Sequence, residues 1–126
     1  MKRSPALQPL SREHHTALTL AKACEHAAQS GDAIIVAQAC ERAILAYTNE
    51  LDAHFRIEEQ TLLPLLSNAA TQILVQRTLQ DHEQLRGLLA ALQQNNAEAL
   101  GNFGKLLTTH VRFEERELFP VIEELL

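Results

Sequence analysis

The twenty residues from 47 to 66 recur at 103 to 122, at a fixed offset of 56. Tyr47 pairs with Phe103, Leu51 with Leu107, His54 with His110 and Glu58 with Glu114. Arg56, Glu59, Leu62 and Pro64 return as Arg112, Glu115, Leu118 and Pro120, so both copies read H-x-R-[IF]-E-E-x-x-L-[LF]-P. The leucines stand at helical spacing and belong to a core face. The His and the first Glu fall on that same apolar stripe, where a polar side chain needs a partner. Whatever the fold, it must bring two buried His–Glu pairs against something that satisfies them. A looser copy links Glu13-His14 with Asp81-His82, each followed seven residues on by an apolar residue, Ala21 and Leu89.

The rest of the chain supplies helices to carry these pairs. Its 18 Ala and 22 Leu favour helix over strand. Ser11 reads as an N-cap, followed by Glu13 and the apolar series Ala17, Leu18, Ala21, Cys24 and Ala28. In Gln29-Ser30-Gly31-Asp32, Gly ends one helix and Asp caps the next. A second helix is predicted from about Ala33 to Leu62, burying Ile34/Ile35, Ala37, Cys40, Ile44, Tyr47 and Leu51, with Pro64 as its stop. Ser67-Asn68 turns into a third, about Ala70 to Gln93, with Ile73, Leu74, Leu79, Leu85, Leu88/Leu89 and Leu92 inside. Gln94-Asn95-Asn96 turns into a fourth, about Ala97 to Leu118. Short loops make neighbours antiparallel, so residues 11–126 are expected to form one all-α, up-down-up-down four-helix bundle. Residues 1–10, with Pro5 and Pro9, read as an N-terminal lead-in.

Reflecting positions about the turns tests which residues share a level. The midpoint of His54 and Glu58, reflected about residue 68, lands near His82; His82 reflected about residue 95 lands near His110. On helix one the nearest histidines are His14 and His15, and Leu10, Ala17, Leu18 and Ala21 cluster on the side of His14. A single histidine on an apolar face is ordinarily a satisfied core residue. Four His and two Glu in one layer are different, because burying two carboxylates without a cation costs several kcal/mol each. The candidate metal ligands are His14, His54, Glu58, His82, His110 and Glu114. Imidazole with carboxylate suits iron, zinc, copper or manganese. Two nitrogens per ion and two bridging carboxylates fit two ions, with room for a bridging oxo or hydroxo group and an exchangeable position. Glu59 and Glu115 lie off the stripe and read as surface partners of Arg56 and Arg112 at i,i+3. Tyr47 and Phe103 read as packing residues.

Composition removes other classes. A formal charge of −5 argues against a nucleic-acid partner. No apolar run approaches the roughly 18 residues of a membrane span, and no secretory signal follows the basic N-terminus, so the expected location is cytoplasmic. Cys24 and Cys40 lack metal-site spacing and read as plain core thiols.

The residues Glu13-His14, His54-x-x-x-Glu58, Asp81-His82 and His110-x-x-x-Glu114 resemble the hemerythrin-like (HHE cation-binding) family over about Leu10 to Leu126. The resemblance implies a bundle holding a non-haem centre of two iron ions, oxo- or hydroxo-bridged. Oxygen-carrying hemerythrins place a second His one turn after the helix-three ligand, where this chain has Arg86, and end on H-x-x-x-x-D, where it has His110-x-x-x-Glu114. The pattern is closer to the four-His, two-Glu centres of hemerythrin-like iron–sulfur repair proteins, whose extra N-terminal cysteine-containing domain these residues do not include. A ferritin-like site would need Glu-x-x-His on two helices. The resemblance thus implies a protein that binds or senses O₂ or NO, or handles iron under oxidative or nitrosative stress. A di-iron oxidase or peroxidase, an iron–sulfur-repair-type protein and a metal-free interaction bundle are the alternatives. No added general acid or substrate pocket is legible, which ranks an enzyme lower.

Overall fold

The computed structural model describes residues 3–126. Four antiparallel rods form the bundle. Helix one is α1 (Gln8–Gln29). Helix two runs from α2 (Ala33–Ala46) through a π turn (Tyr47–Leu51) into α3 (Asp52–Ile57) and a second π turn (Glu58–Leu62). Helix three is α4 (Gln72–Gly87), broken at Leu88 and resumed as α5 (Leu89–Gln93). Helix four is α6 (Ala97–Phe113), a π turn (Glu114–Leu118) and α7 (Phe119–Glu123). Among the described residues there is no strand, and no helix is long and apolar enough to cross a membrane.

The turns form where the sequence places them. Asp32 accepts hydrogen bonds from the Ile34 and Ile35 amides, Asn68 from Thr71 and Asn96 from Ala99, each satisfying free N–H groups of a first turn. Gly31 takes φ +69°, the left-handed conformation that glycine adopts without a Cβ penalty.

The start of helix one differs from expectation. It begins at Gln8 with Pro9 in its first turn, where a missing N–H costs nothing. Leu7 and Leu10 are buried, so the described part of the expected lead-in belongs to the bundle; Met1 and Lys2 lie outside the described residues. Ser11 does not cap the helix; its hydroxyl donates to Glu115. The inner face of α2 is Val36, Cys40 and Ala43, whereas Ile34 and Ile73 are 70% and 75% exposed, and Ile35 and Leu79 are also exposed.

Two apolar clusters fill the interior. One holds Leu20, Cys24, Cys40, Leu85, Leu92, Phe103 and Leu107. The other holds Leu7, Leu10, Leu62, Leu63, Phe113, Leu118 and Ile122. Both cysteines are free and buried.

Candidate metal centre

The buried polar residues include His14, His54, Glu58, Asp81, His82, His110 and Glu114. Each copy of the repeat delivers its His and first Glu from neighbouring turns of one face. Each copy also passes into a π turn at its first Glu: the Leu63 amide donates to the Glu58 carbonyl, and the Phe119 amide to the Glu114 carbonyl. Pro64 and Pro120 stand two residues beyond these turns, where their missing N–H interrupts the ordinary ladder. The same local sequence has given the same local distortion twice.

Glu58 and Glu114 lie at the middle of the layer. Glu58 Oε2 is 3.1 Å from His54 Nε2, and its Oε1 is 3.0 Å from His82 Nε2. Glu114 Oε1 is 2.9 Å from His14 Nε2, and its Oε2 is 3.4 Å from His110 Nε2. Each carboxylate therefore offers one oxygen to each side. His14, His54, Glu58 and Glu114 make one set, and Glu58, His82, His110 and Glu114 make another, with all ligand atoms of each set within 4.8 Å of one another. The layer contains all six candidates named from the sequence. His15 is exposed and stands apart.

A second ring of acids holds the far side of every imidazole. Nδ1 of His14 meets Glu115 at 2.6 Å, His54 meets Glu13 at 2.8 Å, His82 meets Glu59 at 2.6 Å and His110 meets Asp81 at 2.8 Å. Such partners fix ring orientation and aim Nε2 at the centre. Glu59 and Glu115 thus correct the surface-pair expectation: Glu59 also accepts from Arg86, Glu115 from Arg3 and Ser11, while Arg56 pairs with Asp52. Consecutive helical residues point about 100° apart, so Glu58 faces the bundle axis while Glu59 faces helix three. Tyr47 is more than packing, since its hydroxyl donates to Asp52 and accepts from Arg86. Phe55 stacks on His82 with centroids 4.0 Å apart, and Phe119 on His14 at 5.3 Å.

The electrostatics bind buried carboxylates and imidazoles to one another. Burial pulls His54 down, but the Glu114 and Glu58 carboxylates outweigh it and push its pKa to about 11. His110 rises to about 10, burial again being outweighed, here by Glu114 and Asp81. Burial raises Glu115, but hydrogen bonds from His14 and Ser11 bring it to about 2. Glu114 lies well below the usual carboxylate range: burial opposes this, and His110, His14 and His54 prevail. Even so, His110 Nε2 and Glu114 Oε2 are buried with no hydrogen-bond partner. An orphaned imidazole nitrogen facing an orphaned carboxylate oxygen fits a metal ion. The acceptor-rich, thiolate-free donor set fits it as well.

No curated protein and no solved structure matches the chain. The family description "hemerythrin HHE cation binding domain" matches residues 6–122. With that span covering nearly all of the bundle and both copies of the repeat, the chain belongs to the hemerythrin HHE cation-binding domain family.

Proposed function

We propose that this protein holds two iron ions through His14, His54, Glu58, His82, His110 and Glu114, and uses them to bind or sense O₂ or NO, or to handle iron under oxidative or nitrosative stress. One observation carries the reading: two four-residue sets share Glu58 and Glu114, whose oxygens face opposite sides. Iron there would supply an exchangeable coordination position and a change of oxidation state. The chain's own work is to orient and to exclude. The four outer acids fix the imidazoles, and Phe55, Phe119, Leu107 and Val111 keep bulk water off the layer. The proposal includes a location in the cytoplasm; the formal charge of −5 argues against a nucleic-acid partner, and no helix among the described residues is long and apolar enough to cross a membrane.

The test is rapid mixing of the reduced, iron-loaded protein with NO and, separately, with O₂. A fast optical change with each is expected, and after O₂ the oxidised spectrum should persist under vacuum. A stable O₂ adduct that reverses under vacuum would restore an oxygen-carrier role. No reaction with either gas at full iron content would overturn the proposal.

An oxidase or peroxidase is a second reading. The sequence shows neither an added general acid nor a substrate pocket for it. A cavity of about 460 Å³ opens between helices one and two and is bordered by Glu13 and His54, within the size range of small-molecule sites. Sustained turnover of H₂O₂ with an added reductant would favour this reading.

A further inference from the structure

The four outer acids are not equally guarded. Arg3 pairs with Glu115, Arg86 with Glu59, and Arg77 with Asp81 at 3.1 Å, while also lying 4.5 Å over the Phe113 ring. Glu13 has no arginine partner among the described residues, and its side chain is 51% exposed against 8% for Asp81. Arg77 reaches Asp81 from four residues before it; four residues before Glu13 stands Pro9.

The wall beside Glu13 is also thinner. Helices one and three correspond at an offset of 68, which pairs Glu13 with Asp81, Ala17 with Leu85 and Leu20 with Leu88. A void of about 10 Å³ sits against His14, His54 and His110. Glu13, Ala17, Leu51 and His54 line both this void and the 460 Å³ outer cavity. The counterpart seam, between helices three and four, has an outer cavity of about 520 Å³ lined by Gln84, Leu88, Asn102, Lys105, Leu106 and Thr109. That cavity touches neither Asp81 nor His110. Leu85, fully buried, fills the position where helix one has only a methyl group.

We infer that small uncharged molecules of two to four atoms reach the centre along one side only, through the seam of helices one and two, past Ala17 and Leu51 and beside Glu13. This rests on the reading of the layer as a metal centre for small ligands, and it adds the approach path and the residues that set it. A diatomic diffusing from the outer cavity passes a methyl-lined throat on this side. On the other side it meets a leucine and an arginine-locked aspartate.

Two measurements test the path. In the metal-free protein under dissolved O₂, the methyl protons of Ala17, Leu51 and Val111 should relax several-fold faster than those of Leu85 and Leu92. In the iron-loaded protein, Ala17→Leu, which copies the opposite throat, should slow NO combination at least tenfold at unchanged iron content. Asn49→Trp, at the exposed mouth of the open cavity, should slow it similarly without touching the core. Lys105→Trp, the matching position in the opposite cavity, should leave the rate within twofold. Equal O₂ relaxation on the two sides, or equal slowing by Asn49→Trp and Lys105→Trp, would overturn the one-sided path, as would unchanged rates in both Ala17→Leu and Asn49→Trp. A wild-type protein that takes up no iron would sink the metal reading instead, and the O₂ relaxation pattern would still decide the path.

Discussion

The half of the bundle made by helices one and two and the half made by helices three and four contain the same chemistry in different walls. Each half presents an acid-His pair facing an H-x-x-x-E-E segment, and each segment enters a π turn at its first Glu. Beyond the motif the halves diverge. Helix two has an additional π turn at Tyr47–Leu51, whereas the matching stretch of helix four, 103 to 107, is regular α-helix. Thr48 is exposed; its counterpart Gly104 is buried, and a Cβ there would stand 2.6 Å from the Ala21 carbonyl. Helix four therefore packs backbone-close on helix one. The repeated residues specify the centre, and the unrepeated ones specify which seams are sealed.

The strongest way to break this equivalence is to remove one shared carboxylate. Glu58→Ala and Glu114→Ala should each empty both metal positions, because each glutamate faces both sets. Elemental analysis after reconstitution checks this. A variant that keeps one ion per chain would show the glutamates serving single ions.

Proton linkage should come next in size. Without metal, His54 and His110 are protonated at pH 7, their pKa values lying at about 11 and about 10. Loading must displace at least those two protons, so affinity should rise about a hundredfold per pH unit near neutrality. Calorimetry in buffers of different ionisation enthalpy measures the release. The sign for stability is opposite. Groups raised above the unfolded value of 6.5 stabilise the metal-free fold fully below that pH, and the contribution fades as pH rises through about 10 to 11. Metal-free protein should thus unfold in less urea at pH 10 than at pH 6.

Losses at the outer acids should be smaller. Removing Glu115, Glu59 or Asp81 should weaken metal affinity by roughly 10–100-fold. Glu13→Ala should do the same through His54, and competition with a chelator reads each value. Unchanged affinity in all four would reduce the ring to surface pairing.

The smallest effect concerns the sealed seam. Gly104→Ala should destabilise the protein by about 1–3 kcal/mol through overpacking against Ala21 and Cys24. Thr48→Ala, at the same point of the repeat, should stay within about 0.5 kcal/mol. Urea melts of the two variants make the comparison.

Much of this was legible in the sequence, for definable reasons. Gly31-Asp32, Asn68 and Asn96 carry turn chemistry that acts locally, so those boundaries fall where expected. The layer was legible because polar residues on an apolar stripe recur at a fixed offset. The inner face of α2 was not, since Ala33 to Ala37 is apolar throughout and a continuous apolar run has no phase. On helix three, Thr78, Asp81 and His82 hold the buried face that Ile73 and Leu79 were expected to share. Glu59 and Glu115 recur with the motif, but their partners His82 and His14 stand on other helices, and periodicity along one helix does not report what a neighbouring helix presents. Leu7 was hidden by Pro9, which stops a helix in its interior but suits its first turn.

Two ions should share one buried layer. Anaerobic titration of the metal-free protein with Fe(II), followed by desalting and quantification of iron and protein, tests it directly. The expected result is a plateau at two ions per chain. The melting temperature should climb with loading, because the ions bind the folded layer and not the unfolded chain. A plateau at one ion per chain, or none, with an unchanged melting temperature would contradict it.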